Sequence, residues 1–128
     1  MKLLLDTHAF LWFLAGDPRV GPARRRRIED PANDKFLSIA SVWEMAIKIS
    51  LGKLAIQGQL ADLVDEAVAG GGIALLGISR EHAVRVAALP WHHRDPFDRM
   101  IAVQAIANGL TLMARDAAFD AYGVDRVW

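Results

Sequence analysis

Short apolar runs, each cut off by a residue that starts or precedes a helix, constrain this chain most. Leu3-Leu4-Leu5 ends at Asp6. Phe36-Leu37-Ser38-Ile39, Ile73–Leu76 and Leu110–Met113 follow at wide spacing, and Val124–Val127 is the candidate fifth run. Each is too short for a helix and too continuous for a strand with one wet face, so each reads as a strand buried on both sides. Helical stretches lie between them. Thr7 to Leu14 has Asp6 as its capping side chain, and Pro22 to Glu29 has Pro at its first position. Ser41 to Leu51 is closed by Gly52, and Leu60 to Ala69 stops at Gly70-Gly71-Gly72. Ser79 caps a helix reaching Leu89, while Asp95 caps Pro96 to Asn108, which Gly109 ends. This alternation predicts an α/β fold: a central parallel sheet of four to five short strands with helices on both faces.

Composition narrows the class. At 128 residues and 53% hydrophobic, the chain is expected to fold as one domain, residues 1–128, with a full core and no disordered tract. No run approaches the roughly 18 apolar residues a membrane span needs. Asp6 and His8 interrupt the apolar N-terminus too early for a secretory signal, so a cytoplasmic protein is expected. With no Cys there is no disulfide framework, thiolate metal site or cysteine nucleophile. Fifteen basic residues balance fifteen acidic ones, so any attraction to nucleic acid must come from local segregation of charge.

Four acids stand at informative places. Asp6 follows the first strand and Asp116 the fourth, which sends both to the carboxyl edge of the sheet, where ligands of open parallel sheets collect. Asp98 lies in the first turn of its helix, and Glu44 lies a turn inside another helix leaving the same edge. Each also has a plain structural explanation. Asp6 and Asp116 can cap helices for about 1 kcal/mol each, and Asp95 with Asp98 resembles a capping box across Pro96. Glu44 has Lys48 four residues on, a helix pair of roughly 0.3–0.5 kcal/mol. Glu44 is the hardest to dismiss, because a carboxylate among Val42, Trp43, Met45 and Ile47 is costly without a partner. Together, four converging carboxylates would repel one another and raise each other's pKa values. Divalent cations relieve that, and hard oxygen donors without Cys favour Mg²⁺ or Mn²⁺.

Leu5-Asp6-Thr7-His8, Ser41-Val42-Trp43-Glu44, His92-His93-Arg94-Asp95-Pro96-Phe97-Asp98-Arg99 and Arg115-Asp116-Ala117-Ala118-Phe119 resemble, in order and spacing, the PIN-domain ribonucleases. More narrowly they resemble the VapC-type toxins of bacterial toxin–antitoxin pairs. The likeness spans essentially the whole chain, and His92 to Arg99 is its most specific part. It implies that Asp6, Glu44, Asp98 and Asp116 are catalytic and hold Mg²⁺ or Mn²⁺, with Asp95, Thr7 and Ser41 in support. It also implies hydrolysis of RNA by a metal-activated water, leaving a 3′-hydroxyl and a 5′-phosphate. A homodimer and a cognate antitoxin that blocks the cleft are implied as partners. One departure is Ala114, where such proteins often carry Thr or Ser.

Lys48, Arg94, Arg99 and Arg115 lie nearest the acids in sequence and are the expected contacts to the RNA backbone. Arg24-Arg25-Arg26-Arg27 reads either as a solvated helix face or as a phosphate-contacting arm. His92 and His93 lack the spacing of a zinc site and read as loop-shaping or substrate-contacting residues. Two other functions compete: a catalytically silent PIN-like module that binds RNA or protein, and a phosphorelay receiver, which also gathers Asp around Mg²⁺. The receiver would need a second acid after the first strand and an Asp ending the third. Here Asp6 stands alone, and Leu76 is followed by Gly77-Ile78-Ser79.

Overall fold

The computed structural model describes residues 1–128. Strands β1 (Lys2–Leu5), β2 (Asp34–Ser38), β3 (Ile73–Leu76), β4 (Thr111–Met113) and β5 (Arg126–Val127) form one sheet, ordered β3-β2-β1-β4-β5. Every pairing in it is parallel. β1 lies at the centre, and Leu3, Leu4 and Leu5 expose nothing to solvent. That is why β1 is an unbroken apolar run: both faces are covered.

Successive strand residues serve opposite layers. Leu4, Leu112 and Ala114 pack with Ile101, Ala102 and Ala105 of α6 (Pro96–Asn108) and with Phe119. Leu5, Leu37 and Met113 pack on the other face. There they meet Phe10 of α1 (Thr7–Ala15), Ile28 of α2 (Gly21–Glu29) and Met45 of α3 (Ile39–Ser50). Ala67 of α4 (Leu60–Ala69) completes that layer. Each such leucine contributes roughly 1.5–3 kcal/mol by leaving water. A one-residue slip of β1 would exchange the two sets, so the register is strongly fixed.

Several junctions differ from the sequence reading. Ile39 belongs to α3 rather than β2, because Ser38 turns the chain directly from strand to helix and caps it through the Ala40 N–H. Ser41 therefore sits inside the helix, fully buried. The helix capped by Ser79 is short: α5 (Arg80–Arg85) passes into a 3₁₀ turn at Val86–Ala88. A second 3₁₀ turn, Ala117–Tyr122, has Asp116 as its cap, and β5 is only two residues long. The receiver reading is corrected as well. That fold runs 2-1-3-4-5, whereas here β1 is central and β3 lies at an edge.

The topology fixes where a site can form. The chain leaves β1 towards β2 on one side and returns through α6 to β4 on the other, so a crevice opens where the order reverses. Leu5 is in register with Leu37 and Met113, and Asp6 N–H donates to the Met113 carbonyl at 3.1 Å. Asp6, Ser38 and Ala114 thus emerge at one level. No helix is long and apolar enough to cross a membrane.

Candidate active site

The inner half of the crevice is built by α1 and α3. Asp6 is 3% exposed, and its Oδ1 accepts the Ala9 N–H at 2.7 Å as the cap of α1. Glu44 is equally buried. Its Oε2 takes the Lys48 ammonium at 2.6 Å, and its Oε1 takes the Thr7 hydroxyl at 2.7 Å. Having one proton to give, Thr7 then accepts from the buried Ser41 hydroxyl at 2.9 Å. Thr7 and Ser41 therefore orient Glu44, and Lys48 neutralises it. Its burial is explained by these partners alone.

The outer half comes from the start of α6 and the turn after β4. Asp95 caps α6 by accepting the N–H groups of Phe97 at 2.8 Å and Asp98 at 3.1 Å. The reciprocal arm of the expected capping box is absent, because Asp95 N–H donates to His93 Nδ1 at 3.3 Å. The Asp98 side chain turns instead towards His93 Nε2, 3.2 Å from its Oδ2. The same nitrogen hydrogen-bonds Asp116 Oδ2 at 3.1 Å. Asp116 Oδ1 accepts the Ala118 N–H at 2.9 Å, and this carboxylate is half exposed.

Electrostatics set two of the acids apart. Burial, reinforced by Glu44 and Asp116, pushes the Asp6 carboxyl up to about 6, although its bond to Ala9 and the nearness of His8 oppose this. Burial, followed by the fields of Asp95, Glu44 and Asp6, pushes Asp98 up to about 7 against the pull of His93. Asp116 moves the other way, held low first by the Ala118 N–H and then by His93. Asp6 therefore feels the charges of Glu44 and Asp116, and Asp98 those of Glu44 and Asp6.

Whether this set suits a divalent cation is a question of its donors. No three acidic or imidazole side chains stand ready to share one ion. Even so, Asp6 and Asp98 are carboxylates in a negative field, and each keeps an oxygen that accepts no hydrogen bond. Neither has a lysine or arginine partner. A hard cation would relieve that charge through its preferred donor type, so the residues fit Mg²⁺ or Mn²⁺.

The basic residues divide. Lys48 faces the acids, paired with Glu44 and raised in pKa chiefly by that hydrogen bond. Arg94 and Arg115 are exposed. Arg99 corrects the sequence reading, being 3% exposed. Its guanidinium donates to the carbonyls of Pro90 (2.9 Å), Leu89 (3.1 Å) and Val86 (3.3 Å) and lies over the Trp91 ring. It is a clamp for the loop before α6, buried and engaged with backbone carbonyls rather than open to solvent. Arg24 lies over Trp128, and Arg25 over Phe13 with a bond to the Phe13 carbonyl, so half of the arginine run is tied into the fold. His93 belongs to the cluster, a contact the sequence reading did not assign to it. The signal in the sequence is its position two residues before the Asp95 cap.

A groove of about 830 Å³ opens beside the inner acids, lined by Thr7, Leu11, Trp12, Met45, Lys48 and Leu54 among others. The PIN domain family matches residues 3–125. No curated protein matches the chain. Among solved structures, VapBC2 from Rickettsia felis, bound to a DNA fragment from their promoter, superposes with a TM-score of 0.74. Its identity is 16%, and the match covers 99% of this chain and 98% of that one. VapBC-1 from nontypeable Haemophilus influenzae gives 0.68 at 15% identity, covering 99% and 97%. FitAcB from Neisseria gonorrhoeae gives 0.58 at 19% identity, covering 98% and 96%. At these identities the three likenesses establish the fold alone.

Proposed function

The chain belongs to the PIN-domain family, and from that premise we propose that it is a metal-dependent endoribonuclease acting as the toxin of a toxin–antitoxin pair. One observation carries the reading. Buried Asp6 and partly buried Asp98 both reach the crevice between β1 and β4, and neither is paired with a lysine or arginine. In this reading Asp6, Asp98, Glu44 and Asp116 hold Mg²⁺ or Mn²⁺. The chemistry supplied on binding is a lowered pKa for water and stabilisation of charge on the phosphodiester oxygens.

The chain's own residues do the rest. Thr7 and Ser41 fix Glu44, and Asp95 fixes the first turn of α6 and with it Asp98. Lys48 pairs with Glu44 at the cleft, and in this reading it meets the RNA backbone together with Arg94 and Arg115, whose exposure supports that role. The groove beside Thr7 and Lys48 accepts an apolar helix face of the cognate antitoxin, which would cover the cleft. Exposed Val84, Trp91 and Ile106 supply apolar surface for a homodimer. The proposed location is the cytoplasm.

A second reading, the catalytically silent PIN-like module, is favoured by Glu44, whose charge Lys48 already neutralises. RNA cleavage by the purified chain with Mg²⁺, with Mn²⁺ and with chelator separates the two. Metal-dependent cleavage leaving 3′-hydroxyl ends, lost by more than about 100-fold in a folded Asp98→Asn variant, is expected, since ligating carboxylates weigh more than their supporting shell. Undiminished cleavage by Asp98→Asn would sink the assignment.

A further inference from the structure

The His93 ring touches both Asp98 and Asp116. Its hydrogen-bond partners settle its tautomer. Nδ1 lies 3.3 Å from the Asp95 N–H, which can only donate, so Nδ1 accepts and the ring hydrogen sits on Nε2. That N–H is directed at Asp116 Oδ2, with Asp98 Oδ2 beside it at 3.2 Å. The two acids come from separate elements, the first turn of α6 and the 3₁₀ turn beyond β4.

The ring is also held in place. His93 N–H donates to the Tyr122 hydroxyl at 2.8 Å. Arg99 reaches the same hydroxyl at 3.4 Å while clamping the carbonyls before it. The Phe119 ring packs against the imidazole at 5.7 Å between centroids. A residue needed only to shape the loop would require its backbone bond to Tyr122. It would have no reason to aim a donor between two carboxylates.

We propose that His93 is a positioning residue for the cation site: its Nε2–H draws Asp98 and Asp116 together across the crevice and leaves their remaining oxygens to the ion. This rests on the reading that these acids bind a divalent cation. Hydrogen-bonded support of ligating carboxylates is a general feature of metal sites, and its loss typically weakens metal binding by about 10–100-fold.

The test is Mn²⁺ binding to the purified full chain, measured by calorimetry without RNA. Folded His93→Ala is expected to bind Mn²⁺ about 10–100-fold more weakly, and its RNA cleavage should recover as Mn²⁺ is raised. His93→Gln, which carries an N–H at similar reach, should regain most of the affinity. His92→Ala, whose ring meets only Tyr122 at 5.1 Å, should bind as the parent does. Should His93→Ala fail to fold, His93→Leu fills the space without a donor and takes its place. Unchanged or tighter Mn²⁺ binding without the imidazole overturns the proposal, as does a Gln variant no better than the Ala one. A parent chain that binds no Mn²⁺ at all overturns the metal reading with it.

Discussion

The two halves of the acidic crevice solve the same electrostatic problem differently. On the inner side Glu44 is as buried as Asp6, yet only Glu44 has a counter-charge, 2.6 Å away on Lys48. On the outer side Asp98 and Asp116 both meet His93, but only Asp98 is pushed up, because burial dominates it while Asp116 stays wet. One acid in each half is thus relieved by its surroundings and the other is left in tension. Groups strained in this way cluster at functional sites more often than elsewhere. The pair that matters is Asp6 with Asp98, one from each side.

Asp6→Asn should break that pairing most visibly. Cleavage should fall by more than about 100-fold, as for any ligating carboxylate, while the metal-free fold gains stability. Asn caps a helix about as well as Asp, so α1 is preserved. The folded carboxyl titrates near 6 against an ordinary 3.8. The folded state therefore holds a proton that the unfolded chain has released, and stability falls as pH rises from about 4 through 6. Above that the full penalty is present, roughly 2–3 kcal/mol for a shift of this size. Thermal unfolding in chelator should show Asp6→Asn more stable than the parent at pH 8, with the gain shrinking towards pH 4. Equal stability of variant and parent at both pH values would mean that Asp6 is merely a cap. Excess Mg²⁺ should stabilise the parent and not the variant, since only the parent has an ion to bind.

Much of this was legible beforehand. The buried strands announced themselves because a parallel sheet covered on both faces allows no polar alternation, and Asp6, Asp95 and Gly109 marked their helix ends through local rules of capping. The position of Ile39 was not legible, since an apolar β-branched residue suits either a strand end or a helix start. What decided it was the Ser38 hydroxyl reaching the Ala40 N–H. The contacts of His93 and Arg99 were out of reach for one reason. Their roles depend on Tyr122, which lies 29 and 23 residues further along the chain, and no local pattern predicts such a contact. The partnership of Thr7 with Glu44 spans 37 residues and was equally beyond reach.

Arg99 sharpens the contrast between the halves, because it supports only the outer one. Replacing it with Met keeps much of the stem against Trp91 but leaves the carbonyls of Pro90 and Leu89 without their donor, while Val86 keeps the Leu89 N–H. An unpaired carbonyl costs about 1–3 kcal/mol when fully buried and less at partly exposed positions such as these. Arg99→Met should therefore lower stability by roughly 2 kcal/mol in denaturant unfolding. Amide exchange should rise first in residues 86–95, whose fastening is lost, while α1 and α3 around Asp6 and Glu44 stay protected. Uniform loosening of both halves would show the crevice to be one cooperative unit.

Arg115 is the gentlest probe and the counterpart of Arg99. It precedes Asp116 at the wet rim of the outer half and is exposed, so Arg115→Ala should leave stability within about 0.5 kcal/mol. Its effect belongs to the substrate. An exposed arginine that meets a phosphate releases counter-ions on binding, and its removal should reduce the slope of log affinity against log salt by roughly one. The measurement is RNA binding by a folded, cleavage-dead Asp98→Asn parent, with and without Arg115→Ala, across a salt series. The weakening should be nearly uniform across RNA sequences, because a backbone contact carries no base information. Equal salt slopes would place the RNA path away from the outer rim, along the Lys48 side, and would leave the inner half of the crevice as the face on which the substrate lies.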